Sequence, residues 1–532
     1  MAFKPIMNFL LSLISATTIN STAPAIPNSN ILVNKPLENK VQIENSHLKK
    51  PLNKIQNFAE KKYETGNKQG ESFYVLVNSD IYPEIESSVI QYANNIARDE
   101  DYGVSVFSSL YESADSLKTF LQQGYENDDL IGTSFVGNFP SAWYQKDYGG
   151  LIGYREAPTD VFYKDLNGLW LDTLRYDPDT ETLVPGSDGI YDTHLDGEGD
   201  RGLEIILSRV EGNLPWGPKT ETEVLQDYFA RNHLYRENNS AESDTVMLYF
   251  DDDLAHRVDI VLSGIQQAYD NIIAINDSNV TTADDYREKL TRKIAWMIPA
   301  AHSWPRGHRF DKNNGTEHDY FWSYEVPNIE HEIPYFLVYG CNAGEFTEDN
   351  FILGFYVLYG GLGGIGYTAR APPPDDAEQF WSRIGSEGSL GEALNEHQNY
   401  WINIHDQHQQ DWGIEGYATD LIGDPTLRPR KAYGVEIADD VPVKNLEYEV
   451  VPNPVVGKQF SIKFDDSNYV PESEGISIDI YDVKGSLVKK ELYNDGGKID
   501  TKDLASGVYF VRLIDENGKD IGSKVQKAII VN

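Results

Sequence analysis

The sequence predicts an α/β protein of two subdomains with mainly parallel central sheets, followed by a small C-terminal β-sandwich. Three observations carry that prediction. From residue 73 to about 430, short apolar runs bounded by turn residues alternate with stretches of helical periodicity, the pattern of strands connected through helices. The alternation closes near residue 240 and starts again at Asp244, which separates two units, 71–240 and 241–435. Beyond residue 446 the helical period stops, and short alternating runs with closely spaced turn residues replace it.

The N-terminus carries Lys4, an apolar stretch over 6–14 and then small residues including Ser15, Ala16, Ser21 and Ala23, which fits a secretory signal over residues 1–23. Residues 24–70 are rich in Asn, Pro, Lys and Ser and read as a linker or pro-segment. In the first unit, strands are expected at 73–77, 104–107, 130–137 and 202–209, with helices at 82–98, 116–123 and 220–235. In the second, the strand 245–250 runs into Asp251, Asp252 and Asp253; helices follow over 258–273 and 283–291, then strands at 294–302 and 333–341. A helix near 349–359, a Gly-rich strand at 360–367, a helix near 390–398 and the segment 421–427 complete it. The sandwich strands are 460–464, 476–481, 508–513 and 528–531.

Composition narrows the partners. With 40% hydrophobic and 12% aromatic residues, the chain can bury substantial cores. Its 84 acidic and 45 basic residues give a formal net charge of −39, which repels a phosphate backbone and an anionic membrane surface, so no nucleic-acid partner is expected. No run approaches the roughly 18 apolar residues of a membrane-spanning helix, so no transmembrane segment is expected.

Cys341 is the single cysteine among 532 residues, so no internal disulfide can form. It closes one buried-strand run, and His302 closes another. In a parallel sheet the carboxyl ends of neighbouring strands present their last side chains to one crevice. A thiol is mostly protonated at neutral pH, and an adjacent imidazole can take its proton. The structural alternative is a buried cysteine acting as a small hydrophobe and a histidine satisfied by local hydrogen bonds, and on the two runs alone it fits better. Asp165 and Asn167, then Asp188 and Asp192, lie among glycines and could give a structural Ca²⁺ its oxygen shell; a solvated acidic loop fits them equally well.

Residues 446–532 resemble the type IX secretion sorting domain of Bacteroidota: Val-Pro-Asn-Pro at 451–454, Ile-Tyr-Asp-Val-Lys-Gly at 480–485, Leu-Ala-Ser-Gly-Val-Tyr-Phe at 504–510 and an apolar end. The resemblance implies export from a Gram-negative cell through the periplasm and outer membrane, with the secretion machinery as partner and removal of the domain on release or surface attachment.

Residues 73–429 resemble the gingipain-like cysteine peptidases, relatives of the caspases. The shared text is the strand ending in His302, the strand ending in Cys341 with its Cys-Asn-Ala-Gly-Glu-Phe run at 341–346, Phe-Val-Gly at 135–137 with Pro140, Glu-Ile-Ile-Leu-Ser-Arg at 204–209, Tyr-Arg-Glu-Asn at 235–238 and Gly-Asp-Pro-Thr-Leu at 423–427. This resemblance implies a caspase-like fold and a secreted endopeptidase acting on protein or peptide substrates, with no cofactor in the chemistry. Cys341 would be the nucleophile and His302 the group that protonates the leaving amine. The N–H groups of Cys341 and Ser303 would form the oxyanion hole, Asp252 would orient the histidine, and Asp259 would lie in the substrate pocket. For the acidic triplet the alternative is an ordinary helix N-terminus.

The family usually has His-Gly where this chain has His302-Ser303, and His308 and His318 are rival bases if the loop runs differently. The alternative function is a catalytically inactive surface binding or adhesion protein on the same scaffold. A processing enzyme that trims sorting domains is a third reading, against which the chain's own sorting domain argues.

Overall fold

The computed structural model describes residues 57–67, 70–148, 153–197, 199–238, 243–277, 279–312, 316–408, 414, 416–429, 448–456, 458–464, 477–481, 487–492, 498–514 and 526–531. The expected signal at 1–23 lies outside them, as does most of the expected linker.

Eleven strands form one sheet. Numbered in chain order they are β1 (Phe58–Gly66), β2 (Ser72–Asn78), β3 (Gly103–Leu110), β4 (Leu130–Val136), β5 (Ile206–Val210), β6 (Val246–Phe250), β7 (Ile272–Ile275), β8 (Trp296–Ala300), β9 (Tyr335–Val338), β10 (Gly363–Tyr367) and β11 (Thr419–Gly423). Across the sheet the order is β1-β3-β2-β4-β5-β11-β10-β9-β8-β6-β7. From β3 to β11 the neighbours pair in parallel, and so do those from β10 to β7. The two halves meet antiparallel where β10 pairs with β11.

The two expected subdomains are therefore halves of a single sheet, joined when β11, the last strand of the second half, returns beside β5. Strand β1 and strand β7 also depart from expectation. The first lies within the stretch read as linker, and its Glu60, Lys61, Lys62 and Glu64 are the charged residues of a sheet edge guarded against further pairing. The second occupies the end of a stretch read as helical; the helix Val258–Ile265 stops and β7 forms the opposite edge.

Alternation along each strand divides its side chains between the two faces. Phe73, Val75 and Val77 of β2, Met247 and Tyr249 of β6, and Phe336 and Val338 of β9 join one core. Helices Tyr82–Glu100, Glu221–Glu237 and Ile352–Tyr359 cover that face. On the other face, Tyr74 and Leu76 pack with helix Ala114–Asp128, while Leu248, Ile298 and Leu337 pack with Val258–Ile265 and Glu378–Gly385. Helix Glu221–Glu237 begins at a capping box, Thr220 accepting from Glu223 N–H while the Glu223 carboxylate accepts from Thr220 N–H.

Among the residues from 448 onward, a three-stranded and a five-stranded sheet enclose a core that includes Phe460, Ile478, Ile480, Val511, Leu513 and Ile530, the arrangement of a small sandwich.

Candidate active site

Three neighbouring strands, β9, β8 and β6, direct their continuations to the same edge of the sheet, because all three are parallel. Trp296 lies opposite Tyr335 and Ala300 opposite Tyr339, each pair 39 positions apart, and 39 positions also separate His302 from Cys341. Beyond that register the two continuations still approach each other, since a Cβ on Gly340, before the cysteine, would lie 2.3 Å from Oγ of Ser303, after the histidine. Strand β6 ends at Phe250 opposite Ala300, and Asp253 follows three residues later in the short helical turn Asp252–Arg257.

His302 Nε2 lies 2.9 Å from Asp253 Oδ2. The acid bonded to the histidine is therefore Asp253, one residue beyond the expected Asp252, whose backbone opens the helical turn. Asp251 is fully buried, and its carboxylate accepts from Asp311 N–H at 3.0 Å. The hydrogen bond and charge of Asp253 raise the pKa of His302 above its ordinary value, against the effect of partial burial. Burial would raise Asp253, but the bond from His302, its charge and that of Arg309 hold the carboxyl below its usual range. With Nε2–H held by a carboxylate, Nδ1 is the ring atom left for exchange, and it has no hydrogen-bond partner among the described residues.

The residue after the histidine resolves the departure from His-Gly. Ser303 has no left-handed backbone, and its hydroxyl turns inward, donating to Ala301 O at 2.9 Å and lying 2.6 Å from His308 Nδ1. Close approach is made instead by Gly340, where a Cβ would sit 2.3 Å from Ser303 Oγ. His308, the first rival base, is fully buried; burial lowers its pKa to about 3, so it stays neutral. His318, the second, bonds through Nδ1 to Asp311 at 2.8 Å, and the three strands His302–Trp304, Gly307–Lys312 and Glu317–Trp322 form one antiparallel sheet.

Cys341 is half-buried at the start of a tight turn. Asn342 takes a left-handed φ of 58°, its N–H donates to Ala369 O at 2.7 Å, and its side-chain amide donates to Glu345. Gly344 donates to Tyr367 O at 2.9 Å, and a Cβ there would come 2.7 Å from the Gly366 backbone. The turn is thereby fastened along the end of β10. Phe346 closes it under the Arg209 guanidinium, 4.1 Å from the ring, and Arg209 pairs with buried Asp160 at 2.7 Å.

Burial pushes the Cys341 thiol above its ordinary value, opposed by the N–H of Ala371 and the positive charges of Arg370 and Arg155. No backbone carbonyl among the described residues accepts from Cys341 N–H.

Asp259 lies exposed in the first turn of helix Val258–Ile265. The four residues considered for calcium take different internal donors. Asp165 accepts from Gly168 N–H at 2.6 Å and pairs with His194. Asp192 accepts from Thr173 and Leu174 N–H at 2.6 and 2.7 Å. Asp188 accepts from Gln145 at 3.0 Å, and Asn167 donates to Glu204. Among the described residues no group of three or more His, Cys, Asp or Glu side chains could hold a metal ion.

Two pieces of sequence that carried the family resemblance meet away from the site. Arg236 of helix Glu221–Glu237 donates to Asp424, just past β11, at 2.6 Å, and both side chains are buried. Sequence reading missed this pair and the Arg209–Asp160 pair because their partners are 188 and 49 positions apart.

Residues 449–531 match the family model described as a secretion system C-terminal sorting domain. No curated protein matches the chain. A tail of this type directs passage through the outer membrane to a secreted or cell-surface location in Gram-negative bacteria of the Bacteroidetes type, which makes the type IX secretion machinery a partner. No helix among the described residues is long and apolar enough to cross a membrane.

Proposed function

We propose that the exported chain is a gingipain-like, caspase-related cysteine endopeptidase whose nucleophile is Cys341. One observation carries the reading: three adjacent parallel strands bring Cys341, His302 and Asp253 to one edge, the histidine already bonded to its acid. Asp253 fixes the proton on Nε2, so Nδ1 takes the thiol proton as sulfur adds to the peptide carbonyl. The imidazolium formed is stabilised by the Asp253 carboxylate and returns its proton to the leaving amine. Water then attacks the thioester with the same ring as base. The N–H groups of Cys341 and Ser303 are the donors assigned to the oxyanion, a contribution of about 3–4 kcal/mol per donor in well-ordered sites.

Burial of the thiol favours a second reading, a binding or adhesion protein that keeps the scaffold without turnover. A peptide-library digest separates the two. Cleavage by the wild-type chain that Cys341→Ala and His302→Ala both abolish supports the peptidase; a wild type that cleaves nothing, or cleavage that survives Cys341→Ala, supports the binding protein.

A further inference from the structure

At the opposite edge of the same strands lies a second cavity, of about 280 Å³. Its walls are formed just before β8, β9 and β10 and by one flank of helix Glu221–Glu237, so it is separated from Cys341 by the length of β9. Tyr235, Tyr335 and Leu362 make its walls largely apolar.

Two polar side chains on its lining keep nitrogen atoms without partners. His331 is 5% exposed, and neither ring nitrogen has a hydrogen-bond partner. Its ring is pressed on Gly360, where a Cβ would lie 2.3 Å from Cε1, and burial lowers its pKa to about 4, leaving a neutral ring with one N–H to donate. Arg231 gives one terminal nitrogen to the carbonyls of Val357 and Leu358, at 3.3 and 2.7 Å, and its buried Nε–H has no acceptor. Among the described residues no carboxylate lies within ion-pair distance of Arg231. Glu332, also on the lining, is 71% exposed and pairs with Lys293 at 3.7 Å, so the rim is electrically balanced while the interior keeps a positive charge.

A buried donor without an acceptor and a partly buried cation with no carboxylate at ion-pair distance are both costly, and one ligand group would satisfy them together. We infer that the cavity binds a compact aromatic or branched-chain carboxylic acid, its carboxylate on Arg231 Nε and the His331 ring, its apolar body among Tyr235, Tyr335 and Leu362. The size is near the lower end of small-molecule sites, roughly 300 Å³, which suits a compact ligand. This site stands independently of the peptidase reading.

Calorimetric titration of the full chain with sodium phenylacetate and with neutral phenylacetamide tests it. Saturable binding of one phenylacetate is expected, with the amide at least about tenfold weaker, the difference made by a charge-assisted hydrogen bond. Arg231→Met should reduce the acid to the amide's affinity. Because that residue is partly buried and bonds the backbone, Leu234→Trp serves as a second variant: Leu234, on the lining, is 60% exposed, and the larger ring should block entry in a folded chain. Absence of saturable binding, equal affinity for acid and amide, or undiminished binding in Leu234→Trp would overturn the inference.

Discussion

Ser303 Oγ occupies the space that a side chain at position 340 would need: a Cβ on Gly340 would lie 2.3 Å from it. The close approach of the two strand continuations is made at the residue before Cys341 rather than at the one after His302. Gly340→Ala is therefore expected to destabilise the chain by about 1–3 kcal/mol, the range of overpacking, and to displace the Cys341 turn. Combining it with Ser303→Gly should recover part of that loss, read as non-additivity in a double-mutant cycle of denaturant melts. Additive effects would show that the two residues do not share this space.

The acid–histidine pair sets a pH limb. The thiol and the imidazole both lie above their ordinary values, 9.0 and 6.5, so near neutrality the dyad is largely uncharged sulfur facing a ring that must be neutral to act as base. Activity is then expected to rise with pH through a midpoint above 6.5. Asp253→Asn removes the partner that raises the ring, so the midpoint moves down while the rate falls by about a hundredfold. Asp252→Asn should do neither. The checks are kcat/KM profiles of the three proteins on one cleavable peptide.

How much of this was legible in the sequence depends on the range of the interaction. Buried strands are continuous apolar runs, so the strands before His302 and Cys341 could be located; the described connection between them holds three short antiparallel strands and the short helical turn Ser323–Asn328 and no α-helix, so nothing local marks the two as parallel. Within the triplet 251–253 the expected acid, Asp252, falls one residue short of the one bonded to the histidine, because a helical turn starts inside the triplet. Asp251 points inward to Asp311, while Asp253 reaches His302. Likewise, Asp165 and Asp192 in glycine-bearing loops read equally as a cation's oxygen shell or as acceptors for loop N–H groups, and the donors found are loop N–H groups together with the His194 ring and the Thr173 and Thr193 hydroxyls. Union of the two halves through β10 and β11 has no local signature at all.

The charges around the sulfur can be read by alkylation. Iodoacetamide should modify the single cysteine at a rate that rises with pH toward a midpoint above 9.0. Arg370→Gln removes one of the two cations that favour the thiolate, so the midpoint should rise further and the rate at neutral pH fall several-fold, about one factor of ten per pKa unit. A faster reaction in Arg370→Gln would contradict the electrostatic account.

Buried ion pairs hold the frame on which the site is built. Removing one partner leaves a charge without compensation, which costs about 3–5 kcal/mol. Asp160→Ala strands Arg209, whereas Asp424→Ala leaves Arg236 one carboxylate partner, Asp99, at 3.0 Å. Asp160→Ala is expected to lower stability by that amount in urea melts, and Asp424→Ala by less, because Asp99 remains. Asp160→Ala should also impair activity, since Arg209 carries Phe346 at the close of the Cys341 turn. An Asp160→Ala chain with unchanged stability would remove the frame argument.

The most direct measurement is the intact mass of the purified chain after exposure to a peptidyl acyloxymethyl ketone at neutral pH. A working dyad predicts one adduct per chain, mapped to Cys341, and its loss in His302→Ala. A chain that stays unmodified by the ketones tried, or one that is labelled equally well without His302, would contradict the account.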